Sequence, residues 1–268
     1  MKKIWKYIIL FTSVLALSGC FTKGTLRKPV YNYLKDNFGI NEEFNIISTD
    51  NNWFEGTDHQ TVIEIKKPYH AFPYLLIARD SYDILEGSDD IYFEMFKGAY
   101  IKQHPEVLEV SNELIKKYNI DKKSPYEWDI EKQNYFYYIN ITIEEQQEDK
   151  LIEDFKKNKK INTINIIPTL VRSEPRDNAN NIGVINFIYY YNTYNNEHNV
   201  PKAMDLVKDF QKSKVLKQGI YNIAIQTYYS ESKDNHEPGG DSNYDTHVLF
   251  SVDDKGNYNV IPTPKELF

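Results

Sequence analysis

Cysteine occurs once in the 268-residue chain, at Cys20. A lone cysteine has no partner for an internal disulfide, so the fold has to be held by buried apolar surface, hydrogen bonds or a metal. Material for a core is present: 41% of the residues are hydrophobic and 15% aromatic, including 22 Tyr and 14 Phe. A chain of this length builds one large domain or two smaller ones. The formal charge is −7. That balance argues against nucleic acid as a partner, whose binding rests on Lys and Arg neutralising phosphates. It also offers no general attraction to anionic lipid head groups.

The position of that cysteine is informative. Lys2, Lys3 and Lys6 form a positive start, an apolar run follows from Tyr7 to Leu17, and Leu17-Ser18-Gly19-Cys20 closes it with small residues. As a helix the run reaches only about 16 Å at ~1.5 Å per residue, half of a ~30 Å hydrocarbon core, so it is too short to span a membrane. It has the layout of a cleavable export signal. The segment resembles the lipobox signal of bacterial lipoproteins; the alternative is an ordinary secretory signal with a coincidental cysteine. The resemblance implies removal of residues 1–19 and a diacylglyceryl group on the Cys20 sulfur, with or without a further N-acyl chain. A single acyl chain holds a protein to a bilayer only marginally, and two chains suffice. The implied location is the extracytoplasmic face of the cell membrane. Only Arg27, Arg79, Arg172 and Arg176 stand against many lysines, and Ile, Asn and Tyr are heavily used. That bias suits low-GC codon usage and a Gram-positive source.

Periodicity predicts an α+β fold. Residues 20–28 read as a lipidated tether. Pro29 opens a helix striped by Val30, Tyr33, Leu34 and Phe38, with Gly39 as its left-handed stop. Glu43–Thr49, Thr61–Lys67 and Phe72–Arg79 read as strands, the last two as a hairpin. Gly87-Ser88-Asp89-Asp90 starts a helix to about His104, and Pro105 opens the next. The polar connector Asn119–Gln133 divides an N-terminal half (29–124) from a C-terminal half (125–268), with a single shared domain left open. In the second half, Asn134–Ile143 reads as a strand, and Thr142-x-x-Glu145 as a capping box for a helix to about Lys159. Ile161–Leu170 and Gly183–Tyr194 read as strands. A helix from Pro201 and a strand Gly219–Tyr229 follow. The order β-α-β-β-α-β predicts a ferredoxin-like (split βαβ) antiparallel sheet with helices on one face. A terminal hairpin joins Thr246–Asp253 to Tyr258–Ile261.

Alternation within these strands separates an apolar face from one carrying Tyr138, Asn140, Tyr190, Asn192 and Tyr228. Aromatic rings beside amides suit a sugar or peptide, so these five residues form the candidate ligand platform. The competing explanation is that tyrosine favours strands and the face is solvated or packed. Asp241-x-Asn243-x-Asp245 copies the first liganding positions of a calcium loop. Thr246 replaces its turn glycine and Val252 its bidentate Glu, so Asp241, Asn243 and Asp245 are weak metal candidates and no metal is expected. No cofactor motif occurs, and no Gly-x-Ser-x-Gly, Ser-x-x-Lys, His-Glu-x-x-His or P-loop pattern is present. With Cys20 lipidated, a thiol nucleophile is excluded too. Asp89-Asp90 and Glu144-Glu145 fall at helix starts, where acids suit the dipole. The expectation is a membrane-anchored binding protein whose partner is a wall polymer, a peptide or another protein. The alternatives are a wall-active hydrolase with an unlocated carboxylate pair and a structural or immunity-type lipoprotein.

Overall fold

A computed structural model of the chain describes residues 23–50, 58–125, 139–172, 182–194, 200–230 and 246–262. The class is α+β, as expected, with two sheets. Helix α1 covers 23–33 and widens into a π-helical turn, Leu34–Phe38, that ends at Gly39 with φ +62°. The reading of 20–28 as tether therefore fails over 23–28. Leu26 lies four residues before Val30, extends the same apolar stripe and is fully buried, so Pro29 sits inside the helix rather than opening it.

Four antiparallel strands follow in the order β1-β2-β3-β4: β1 (Phe44–Asp50), β2 (His59–Ile65), β3 (Tyr74–Ile77) and β4 (Ile84–Glu86). Three of them match expected strands to within a few residues, and β2 and β3 pair from Val62↔Tyr74 to His59↔Ile77. Helices α2 (Ser88–Gln103) and α3 (Pro105–Lys117) meet at His104, as the proline predicts. Helix α2 buries Ile91, Tyr92, Met95, Phe96, Ala99 and Tyr100 on one broad face and Lys97 outside it, which marks a helix with protein on more than one side. It touches β3 of the first sheet, and also β5 (Ile139–Ile141) of the second.

The second sheet runs β5-β6-β7-β8-β9, with β6 (Ile185–Asn192), β7 (Gly219–Tyr228), β8 (Thr246–Val252) and β9 (Tyr258–Val260). Between β5 and β6 come helix α4 (Glu145–Asn158) and a single turn α5 (Thr163–Ile166); helix α6 (Ala203–Ser213) links β6 to β7. Strands β6 and β7 are parallel, in register from Ile185↔Tyr221 to Asn192↔Tyr228, and the other pairs are antiparallel. The ferredoxin-like order is thus not formed, because Ile161–Leu170 is no strand. Asn162 caps α5 through its side chain, and Ile167–Thr169 continues as a 3-10 turn. With that strand absent, α6 makes a direct crossover between parallel neighbours. The expected Thr142 cap fails as well. Glu144 caps α4 by accepting from the Gln147 amide, while Thr142 Oγ1 accepts from Asn186 Nδ2 at 3.1 Å.

One cluster of buried side chains runs from Leu26 to Val252, so 119–133 separates two sheets without separating two cores. Polar groups lock the junction. The Tyr69 hydroxyl accepts from the Ile161 amide at 2.8 Å and donates to the Ile161 carbonyl at 3.1 Å. Gln103 Nε2 donates to the same carbonyl at 2.7 Å, and Gln103 Oε1 accepts from Thr163 N and Oγ1. Buried His104 lies with Nε2 3.1 Å from Thr163 Oγ1. Lys117 and Tyr118 on one side bind the Asp209 carboxylate on α6.

Tyr69→Phe removes a hydroxyl that serves two buried main-chain groups. It is expected to cost about 1–3 kcal/mol, seen as a lower denaturant midpoint at unchanged slope; an unchanged midpoint contradicts the junction's role. Burial lowers the His104 pKa below 6.5, with Lys217 acting in the same sense and Glu106 against it. Burial lowers His59 and His247 likewise. A depressed folded pKa gives stability that is present above the unfolded value and lost as pH falls through the folded one. Unfolding free energy is therefore expected to drop as pH falls from about 7 to 5, and His104→Gln to flatten that slope in denaturation curves.

Candidate functional site

The parallel pair fixes where a site can form. In sheets with parallel strands, ligands bind outside the carboxyl ends, where the connecting chain turns away. Here Asn192 and Tyr228 lie side by side at those ends. Asn192 ties both exits together: its Oδ1 accepts from Tyr194 N at 3.0 Å and Ser230 N at 3.3 Å, and its Nδ2 donates to Ser230 O at 3.1 Å. Thr193 bonds the Tyr228 carbonyl through both its amide and its hydroxyl.

A carboxylate completes this end. The Asp121 amide donates to Tyr190 O at 3.0 Å, which brings Asp121 beside the strand ends. The Tyr228 hydroxyl is pushed well above its ordinary pKa by burial, by the Asp121 charge and by its hydrogen bond to that carboxylate, with Asn192 opposing. Tyr191 shifts upward too, through burial and the same charge. Tyr228 therefore stays protonated and acts as a fixed donor. Outside this polar knot stand Tyr194 and Tyr229, 39% and 41% exposed, packed edge to face with centroids 5.4 Å apart.

The structure brings together Tyr190, Asn192 and Tyr228 of the expected platform. It does not include Asn140, which pairs with Asn186 near the opposite end of β6 and is exposed. Six strand residues, about 20 Å, separate the two ends. Tyr138 lies outside the described residues, as do Cys20, Asp241, Asn243 and Asp245. The idea of an open face is corrected: Asn186 and Asn222 are 0% exposed, and Ile188, Tyr190 and Gln226 are buried. Strands joined by a parallel crossover are commonly covered on both sides. The Asn186 amide is consumed internally, by Gly183 and Thr142. The five-residue platform leaves out the exposed tyrosines, although alternation puts Tyr194 on the same face; the strand ends are where Tyr194 and Tyr229 stand. Asp121, remote in sequence, gives no local signal.

Chemically, this corner offers two exposed rings beside an anionic hydrogen-bonding knot, a surface for stacking and rim hydrogen bonds. No group of three or more His, Cys, Asp or Glu able to hold a metal occurs among the described residues. Among the carboxyls with pKa values below the ordinary range are Glu64 and Asp209. In each, burial pulls upward and is outweighed: by hydrogen bonds from Asn45 and His70 at Glu64, and from Lys117, Tyr118 and Lys212 at Asp209. That direction is opposite to what a general acid needs. Compared with known protein families, curated proteins and solved structures, the chain finds no match in any of the three.

Asn192→Ala is expected to speed hydrogen exchange of the Tyr194 and Ser230 amides by about tenfold, equivalent to roughly 1.4 kcal/mol, while Phe187–Tyr189 stay protected. Equal loss of protection along the whole of β6 would contradict a local tie.

Proposed function

We propose that this protein is a lipid-anchored extracytoplasmic binding protein that engages a wall polymer, peptide or protein partner at the corner formed by Tyr194 and Tyr229. The observation that carries the reading is Leu17-Ser18-Gly19-Cys20 at the end of a short basic-then-apolar leader in a chain with no other cysteine. Two features support it. No helix among the described residues is long and apolar enough to cross a membrane, so attachment through Cys20 would not duplicate a span there. Helix is already formed at residue 23, which leaves at most about 11 Å of chain between an anchored Cys20 and the fold. The globule would then sit close to the bilayer.

Metabolic labelling with an alkyne fatty acid, followed by membrane fractionation, tests the anchor. The parent chain is expected to take up label and sediment with membranes. Cys20→Ala is expected to lose the label and to appear unprocessed or in the medium. Labelling and membrane retention unchanged in Cys20→Ala would overturn the proposal. For the corner, the double variant Tyr194→Ala/Tyr229→Ala is expected to weaken co-sedimentation with purified wall material about tenfold, the loss of ~1.4 kcal/mol from two stacking contacts.

A further inference from the structure

A second recess lies away from that corner, between the β2–β3 turn and the outer side of α2. Its volume is about 300 Å³, and Lys66, Lys97 and Lys102 line it together with Glu94, Tyr69 and Phe72. Three ammonium groups stand against Glu94 in the lining and Glu64, which pairs with Lys66 Nζ at 3.8 Å, a local excess of positive charge in a chain of net charge −7. Lys97 is the telling residue. It is only 7% exposed, and its Nζ has Glu94 Oε1 as a contact at 3.5 Å, the outer limit of a hydrogen bond. The other Glu94 oxygen already accepts from the Phe72 amide at 3.3 Å. An ammonium carries three donors, and the ion pair with Glu94 engages one of them.

The walls are fixed before any ligand arrives. The Tyr69 hydroxyl is held by both main-chain groups of Ile161, and Lys102 Nζ sits 5.8 Å over the Tyr69 ring. His70 packs on Phe72 with centroids 4.7 Å apart and binds Glu64 through Nε2 at 2.9 Å. The turn lies so close to the helix that a Cβ at Gly98 would stand 2.2 Å from the His70 carbonyl oxygen. Preorganised walls of this kind reduce the ordering cost of binding.

We propose that this cleft binds a small organic anion, a carboxylate or phosphate ester carrying a ring or short apolar body. The anionic group meets Lys97 at the base, with Lys66 and Lys102 at the mouth, and the apolar body lies against Phe72 and Tyr69. The volume is at the lower end of the range for small-molecule pockets, which restricts the ligand to about one ring. This inference does not depend on the lipid anchor or on the tyrosine corner.

The test is calorimetric titration of the full-length chain in non-ionic detergent with benzoate, phenyl phosphate and the neutral benzyl alcohol. At least one anion is expected to bind near or below about 1 mM, and to bind more weakly as salt rises. Tighter benzoate assigns the carboxylate, and tighter phenyl phosphate the phosphate ester. Lys97→Met, which keeps the apolar stem, is expected to weaken the anion at least tenfold while retaining the parent's circular dichroism. Lys102→Met, at the rim, gives a smaller loss and serves in its place if Lys97→Met does not fold. Lys160→Met, outside the cleft, leaves binding unchanged. Benzyl alcohol binding as tightly as the anions overturns the proposal. So does absence of binding by both anions, or affinity unaltered in both cleft variants.

Discussion

The main chain of Ile161 is where the molecule is held together. Its amide and carbonyl are satisfied by the Tyr69 hydroxyl and the Gln103 amide, from the β2–β3 turn and the end of α2. Buried main-chain groups need partners, and a β-ladder is the usual supply. Here side chains from the other half of the chain provide it. The consequence runs in two directions. Residues 161–163 are pinned to α2, which joins the second sheet to the first in one core. The same bonds fix the Tyr69 ring, which becomes a wall of the lysine-lined cleft.

That junction also explains which parts of the fold were legible in the sequence. Elements defined by their own residues were readable: Pro105 opening α3, Gly39 ending the first helical segment, the Ala203, Leu206, Val207 and Phe210 stripe of α6, and the terminal hairpin with Gly256 at φ +79°. Ile161–Leu170 has the apolar content of a strand but no strand neighbour. The bonds of its first residue, Ile161, go to residues 58 and 92 positions away, a distance over which periodicity carries no information. Loss of this one strand changed the second sheet from the expected antiparallel order to a mixed sheet with a parallel centre.

The candidate site divides in the same way. Alternation along β6 and β7 correctly grouped Tyr190, Asn192 and Tyr228, because residues two apart share a face. It could not reveal that the face is buried, since coverage is a tertiary property. Nor could it bring in Asp121, which reaches the strand ends through a main-chain bond to Tyr190. The lysine-lined cleft was invisible for a related reason. Lys97 has the exterior charge of a surface residue, and only the approach of the β2–β3 turn to α2 buries it.

The proposed anchoring rests on the resemblance of Leu17-Ser18-Gly19-Cys20 to a lipobox, with helix described from residue 23, three positions after the cysteine. Intact-mass analysis of the N-terminal peptide, from protein extracted from membranes of its own cells, addresses this directly. The account predicts a mature chain that starts at Cys20 and carries the mass of a diacylglyceryl group on sulfur. A peptide that starts at any other residue, or at an unmodified Cys20, would contradict it.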